Sequence, residues 1–180
     1  FPYQIRPERR PMETNNTTTS NGVHNAHAKD NAAKIVFGDP VLCAQFLKGY
    51  TDIPLFKEIK PEDIENVSSH FLPLFQESRD SDTVNKIRIG NSEIYLIALI
   101  EHQSENDFDM SFRILRYIVF IWTDYAAQQE KLHKGITKSK AFLYPPILPI
   151  VYYEGTSTWS APLNFKDRVF LSDAFGDYIP

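Results

Sequence analysis

Ser81-Asp82-Thr83-Val84-Asn85-Lys86-Ile87-Arg88-Ile89-Gly90-Asn91-Ser92-Glu93-Ile94-Tyr95-Leu96-Ile97-Ala98-Leu99-Ile100-Glu101-His102-Gln103-Ser104 is the stretch that decides the fold. Its second half, Glu93 to Ile100, is apolar on both faces, and such a strand belongs in the middle of a sheet covered by other layers. Its first half reads as a neighbouring strand. Gly90-Asn91 between them is a two-residue connection with Gly first, which predicts a type II′ hairpin turn. Ile89 then pairs with Ser92, and Arg88 faces Glu93 as a cross-strand ion pair. Ile87 and Ile89 join Ile94, Leu96, Ala98 and Ile100 on one apolar face.

The same register has a chemical consequence. Asp82 falls opposite Leu99, on the other face, one diagonal step from Glu101. Diagonal neighbours in a sheet lie about 7–8 Å apart, within reach of a shared cation. Gln103 points the same way if the strand persists two more residues. Polar groups where a buried strand leaves the core must be hydrated, paired or holding an ion. Two carboxylates with oxygen neighbours suit Mg²⁺ or Mn²⁺ rather than zinc. Such an ion polarises a phosphoryl oxygen and acidifies a bound water, the chemistry of phosphodiester hydrolysis. Ordinary solvated strand-end acids are the competing reading, and a three-residue loop would flip Asp82 to the other face.

Outward from the hairpin, Asp39-Pro40 is an N-cap with Pro at the first helical position. Val41, Leu42, Phe46 and Leu47 follow as an apolar stripe, with Gly49 as the stop. A short helix around Ala32, Ala33, Ile35 and Val36 precedes it, and a strand is expected near 66–72. A long amphipathic helix is predicted from about Phe108 to Lys131, with Phe112, Leu115, Val119, Trp122 and Ala126 toward the sheet. Ile147 to Tyr153 is a second buried strand. These elements make an α/β or α+β sandwich.

The chain has 180 residues, a net charge of −4 and one cysteine. That size suits one domain, and that charge gives no general pull toward nucleic acid, so a polyanion site must be a local basic patch. Cys43 cannot form an internal disulfide and reads as an inert core thiol. No stretch is apolar enough to span a bilayer, and no signal-peptide core is present, so a cytoplasmic setting is expected. Residues 1–28, rich in Pro, Asn, Thr and His, read as a disordered leader. Ordered structure is expected over 29–180, truncated at the C-terminus.

Asp82 on one strand and Glu101-x-Gln103 at the end of the next resemble the core of the PD-(D/E)xK nuclease superfamily. Within it, the chain resembles the recombination-promoting nuclease/putative transposase family. The resemblance is carried by Phe37-Gly38-Asp39-Pro40, Arg79-Asp80-Ser81-Asp82, Ile100-Glu101-His102-Gln103-Ser104, Phe112-Arg113-Ile114-Leu115-Arg116-Tyr117 and Pro145-Pro146-Ile147-Leu148-Pro149-Ile150-Val151-Tyr152. It implies a restriction-endonuclease-like α/β/α sandwich with a central mixed sheet, and metal-dependent DNA cleavage linked to recombination or mobile elements. Asp82 and Glu101 carry over as ligands of Mg²⁺ or Mn²⁺, with the His102 backbone carbonyl as a third oxygen. Gln103 stands where the superfamily usually has Lys. A neutral amide cannot act as a base but can hold a water by hydrogen bonds.

Arg79, Arg113 and Arg116 are the candidate contacts to DNA phosphates, with solvated or carboxylate-paired roles as the alternative. Lys131, Lys134, Lys138 and Lys140 form a basic cluster that reads as a DNA-contacting or an ordinary solvated loop. DNA is the expected partner, a membrane is not, and a homo-oligomer is left open. The alternative function is a catalytically silent DNA-binding or protein-interaction module on the same fold.

Overall fold

A computed structural model describes residues 3–4, 33–71, 82–101, 106–153 and 157–179, with the backbone alone for Tyr3, Gln4, Ile100 and Glu101. A five-stranded mixed sheet forms the middle layer. Its strands are β1 (Tyr3–Gln4), β2 (Ile64–Asn66), β3 (Thr83–Ile89), β4 (Ser92–Glu101) and β5 (Ile147–Tyr153). Their spatial order is β1-β5-β4-β3-β2. The hairpin pairs β3 and β4 antiparallel, with Ile89 opposite Ser92 and Thr83 opposite Ala98. Gly90 takes φ 60° while Asn91 stays at negative φ, as a type II′ turn requires. On the other side of β4, β5 runs parallel, and β1 lies parallel beyond it.

Helices cover both faces. The helical residues 33–38 (α1) and helix α2 (Pro40–Tyr50) close one side. There Ile87, Leu96, Ala98 and Ile150 pack with Phe37, Cys43, Ala44 and Leu47. Asp39 caps α2, its carboxylate accepting from the Val41 and Leu42 amides at 2.8 and 3.0 Å. Asn85, buried on this side of β3, donates to the Phe37 carbonyl at 2.7 Å and so ties α1 to the sheet. The other face carries the long helix α4 (Met110–Leu132). Met110, Ile114, Tyr117 and Ile121 meet Val84, Tyr95, Ile97, Leu99 and Val151 there. Each such side chain contributes about 1.5–3 kcal/mol when fully removed from water.

The structure departs from the sequence reading in several places. A strand and a short helix α3 (Ser68–Phe71) replace the strand expected near 66–72. The Asn66 side chain accepts from the Ser68 amide and turns the chain there. Helix α2 passes Gly49 and is capped by Thr51, and Val41 faces out while Cys43 and Ala44 take the inner positions. On α4 the inner stripe is rotated: Phe112, Val119 and Trp122 are exposed. Those aromatics serve a second seam, where Phe112 stacks on Phe165 and Trp122 donates to the Pro145 carbonyl at 2.9 Å. Arg88 and Glu93 are register partners without the expected ion pair; Glu93 meets Lys86 diagonally, and Arg88 reaches Glu65 on β2. Tyr3–Gln4, inside the stretch read as a disordered leader, forms the edge strand β1.

No helix of the described residues is long and apolar enough to cross a membrane. The architecture is an α/β/α arrangement around a mixed sheet, compatible with a restriction-endonuclease-like fold.

Candidate active site at the start of β3

Asp82 immediately precedes the first pair of the β3–β4 ladder, where Thr83, Ala98 and Leu99 are all buried. Its own side chain is 1 % exposed. A carboxylate this deep requires partners, because desolvation strongly disfavours an unpaired charge. Helix α4 supplies them. The stripe that docks it on the sheet brings Arg113 and Tyr117, one turn apart, against the start of β3. Arg113 Nη2 donates to Asp82 Oδ2 at 2.8 Å, and the Tyr117 hydroxyl donates to the same oxygen at 3.1 Å.

The other terminal nitrogen of Arg113 donates to Asp107 Oδ2, also at 2.8 Å. Asp107 in turn accepts from the Asp109 amide through Oδ1 at 2.8 Å, in the turn that starts α4. The neighbouring Asn106 is held by residues beyond β5: it accepts from the Ser160 amide at 2.8 Å and donates to the Thr158 carbonyl at 3.4 Å. The chain therefore reads Asp109 amide, Asp107, Arg113, Asp82, with Tyr117 closing on Asp82 from one turn further along.

Burial works to lower the Arg113 pKa, but the charges and hydrogen bonds of Asp82 and Asp107 outweigh it and raise the net value. The guanidinium is a permanent cation. Burial, and then the charge of Asp82, push the Tyr117 hydroxyl well above the ordinary tyrosine range. It stays a donor at any physiological pH. Asp82 and Asp107 share the guanidinium of Arg113 at the end of an apolar core.

Of the residues singled out in the sequence, the structure brings Asp82 and Arg113 together. Arg113 is turned inward between two carboxylates rather than outward, with 12 % of its side chain exposed. Arg116 is half-buried, close enough for its charge to act on Tyr117. Glu101 ends β4, its backbone in register with Tyr153 of β5; its side chain lies outside the described residues, as do Arg79, His102 and Gln103. Asp107 and Tyr117 are additions from the structure. The spacing of Tyr117 four residues after Arg113 was the available signal for it; Asp107 had none beyond its position before a helix.

Among the described residues no group of three or more His, Cys, Asp and Glu side chains gathers as a metal cluster. Asp82 supplies a carboxylate oxygen, the donor class that a hard divalent cation takes. Cys43 offers no competing soft site. It lies under the opposite face of the sheet, and burial pushes its thiol up to about 12. The Lys134–Lys140 loop is held by Glu130, whose carboxylate accepts from Gly135 and from Thr137 and is kept below the usual range by those bonds.

Residues 27–180 match the model of a family described as "Putative transposase, YhgA-like". Among curated proteins, the chain is 26% identical over 130 residues to the inactive recombination-promoting nuclease-like protein RpnE of Escherichia coli K12. That match covers 72% of this chain and 40% of the relative. Recombination-promoting nuclease RpnC of the same strain is 25% identical over 127 residues, covering 68% and 39%. Recombination-promoting nuclease RpnD of Escherichia coli O157:H7 is 22% identical over 120 residues, covering 63% and 42%. The matches thus span about two fifths of the length of these relatives. No solved structure matches.

Proposed function

The chain belongs to the YhgA-like putative transposase family, and from that premise we propose that it is a cytoplasmic, metal-dependent DNA endonuclease acting in recombination or on mobile elements. The observation that carries the reading is Asp82. A buried carboxylate bridged to a buried arginine is weak evidence of stabilisation, since apolar side chains of similar volume often do as well. Keeping one at the start of a strand, beside the end of β4, points to chemistry. Relatives named nucleases support the same class of activity.

In this reading Asp82, Glu101 and the His102 carbonyl hold Mg²⁺ or Mn²⁺. When bound, the ion supplies Lewis-acid polarisation of the phosphoryl oxygen and a more acidic water. Gln103 orients the attacking water through its amide, which can accept one hydrogen bond and donate another. Hydrolysis adds that water across the phosphodiester: the new P–O bond forms as the bond to one ester oxygen breaks, and the water proton ends on the leaving oxygen or in solvent. Arg79 and Arg116 contact phosphate. Arg113 leaves that set, because both its terminal nitrogens are engaged by carboxylates.

Supercoiled plasmid incubated with and without Mg²⁺ tests the reading. Wild type nicks it with Mg²⁺, while Asp82→Asn and Glu101→Gln, checked as folded by circular dichroism, lose at least a hundredfold. Equal rates in wild type and Asp82→Asn sink the assignment.

A second reading, a catalytically silent module, is favoured by one observation: Arg113 already supplies a positive charge to Asp82. A relative named inactive accords with it. Wild type that binds duplex DNA yet never cleaves it, with any divalent ion, selects this reading.

A further inference from the structure

The pair Asp107–Arg113 has no part in holding helix α4 on the sheet through apolar contact, and the reaction assigns it no bond. Its geometry is nonetheless constrained. Arg113 presents its two terminal nitrogens to two different carboxylates at 2.8 Å each, so its plane is fixed by both. Asp107 is fixed in turn, one oxygen on Arg113 and the other on the Asp109 amide. Arg113 and Tyr117 converge on a single oxygen of Asp82, Oδ2. Two donors from one helix on one oxygen fix the rotation of that carboxylate about its own axis. They also direct its charge relative to the strand.

We propose that Asp107 is a positioning residue which acts through Arg113, together with Tyr117, to set the Asp82 carboxylate for a divalent cation. The inference rests on the proposed function, since it supposes that Asp82 is a metal ligand. Groups that hydrogen-bond a ligating carboxylate fix its orientation, and losing one typically weakens metal binding 10–100-fold. A planar fork that spans two carboxylates is a task for arginine alone. The single ammonium of lysine keeps the charge but cannot hold both at fixed angles. Asp107 also couples the site to the segment after β5, because its neighbour Asn106 is bonded to Thr158 and Ser160.

Calorimetric titration of MgCl₂ into the full chain, at constant ionic strength and without DNA, reads the proposal directly. Arg113→Lys is expected to raise the Mg²⁺ Kd 10–100-fold, Asp107→Asn by about tenfold and Tyr117→Phe by less. Asp107→Asn keeps the shape of the side chain and an acceptor oxygen for Arg113, so it is the milder variant beside Arg113→Lys. A purely structural role lowers the melting temperature of Asp107→Asn and leaves its Mg²⁺ Kd unchanged; that result overturns the proposal. Tighter Mg²⁺ binding in either variant overturns it too, by making Arg113 a competitor of the metal. Absence of any Mg²⁺ heat from wild type at millimolar concentration removes the metal reading itself, and the positioning role with it.

Discussion

Asn85 within β3 and Asp82 just before it are buried on opposite faces of the sheet, and the two are treated in opposite ways. Toward α1 and α2, Asn85 is neutral and tied to the Phe37 carbonyl, with the Cys43 sulfur beside it. Toward α4, Asp82 is charged and tied to a charged side chain that is itself shared with a second acid. A neutral amide on a carbonyl holds two layers together at modest cost. A charged pair at the end of a core requires several kcal/mol of desolvation per ion to be offset by its own attraction. The first arrangement is accounted for by the fold; the second is the one that the proposed chemistry would account for.

The largest expected break in that contrast is Arg113→Met. It removes the Arg113 cation from buried Asp82, and urea unfolding is expected to show a loss of about 3–5 kcal/mol. Asn85→Leu on the opposite face is expected to cost about 1–3 kcal/mol, since the Phe37 carbonyl loses its donor. Its Mg²⁺ Kd should match wild type; a changed Kd would mean that the faces are not independent. The combination Asp82→Leu with Arg113→Met sharpens the point. Part of the stability lost by Arg113→Met alone returns, because apolar side chains replace the most deeply buried carboxylate and the guanidinium and leave only Asp107 charged, while plasmid cleavage stays absent. Failure to recover stability would assign the pair to the fold rather than to chemistry.

The smallest effect concerns Cys43. Its folded pKa is raised, so the thiol contributes stability that is complete below an unfolded value near 9 and is lost as pH rises toward about 12. Unfolding measured across that window should therefore fall less steeply in Cys43→Ala than in wild type. Buried Tyr95 and Tyr117, also raised, add to the same downward slope.

The hairpin was legible because three local signals agree: a two-residue turn, alternation on β3, and a β4 apolar on both faces. The Asp39 cap was legible for the same reason, its side chain bonding only two and three residues ahead. Helix α4 was legible in extent but not in rotation. Its apolar residues occupy two stripes, and nothing local tells which meets the sheet and which receives Pro145 and Phe165. The Asp82 partnership was hidden for a related reason. Arg113 and Tyr117 lie 31 and 35 residues away, and their approach depends on that rotation. The pairing of β3 with β4 was read from the turn; the guanidinium between Asp82 and Asp107 required the packed helix.

The Gly90–Asn91 turn has a practical consequence. It sits at the far end of the hairpin from Asp82, seven ladder pairs away, which at about 3.3 Å per residue is roughly 23 Å. Gly90, Asn91 and Ser92 are exposed, and no atom lies within 4 Å of where a Gly90 side chain would begin. A fluorophore or surface tether attached at Asn91 would report on, or immobilise, the protein from the end of the hairpin remote from Asp82.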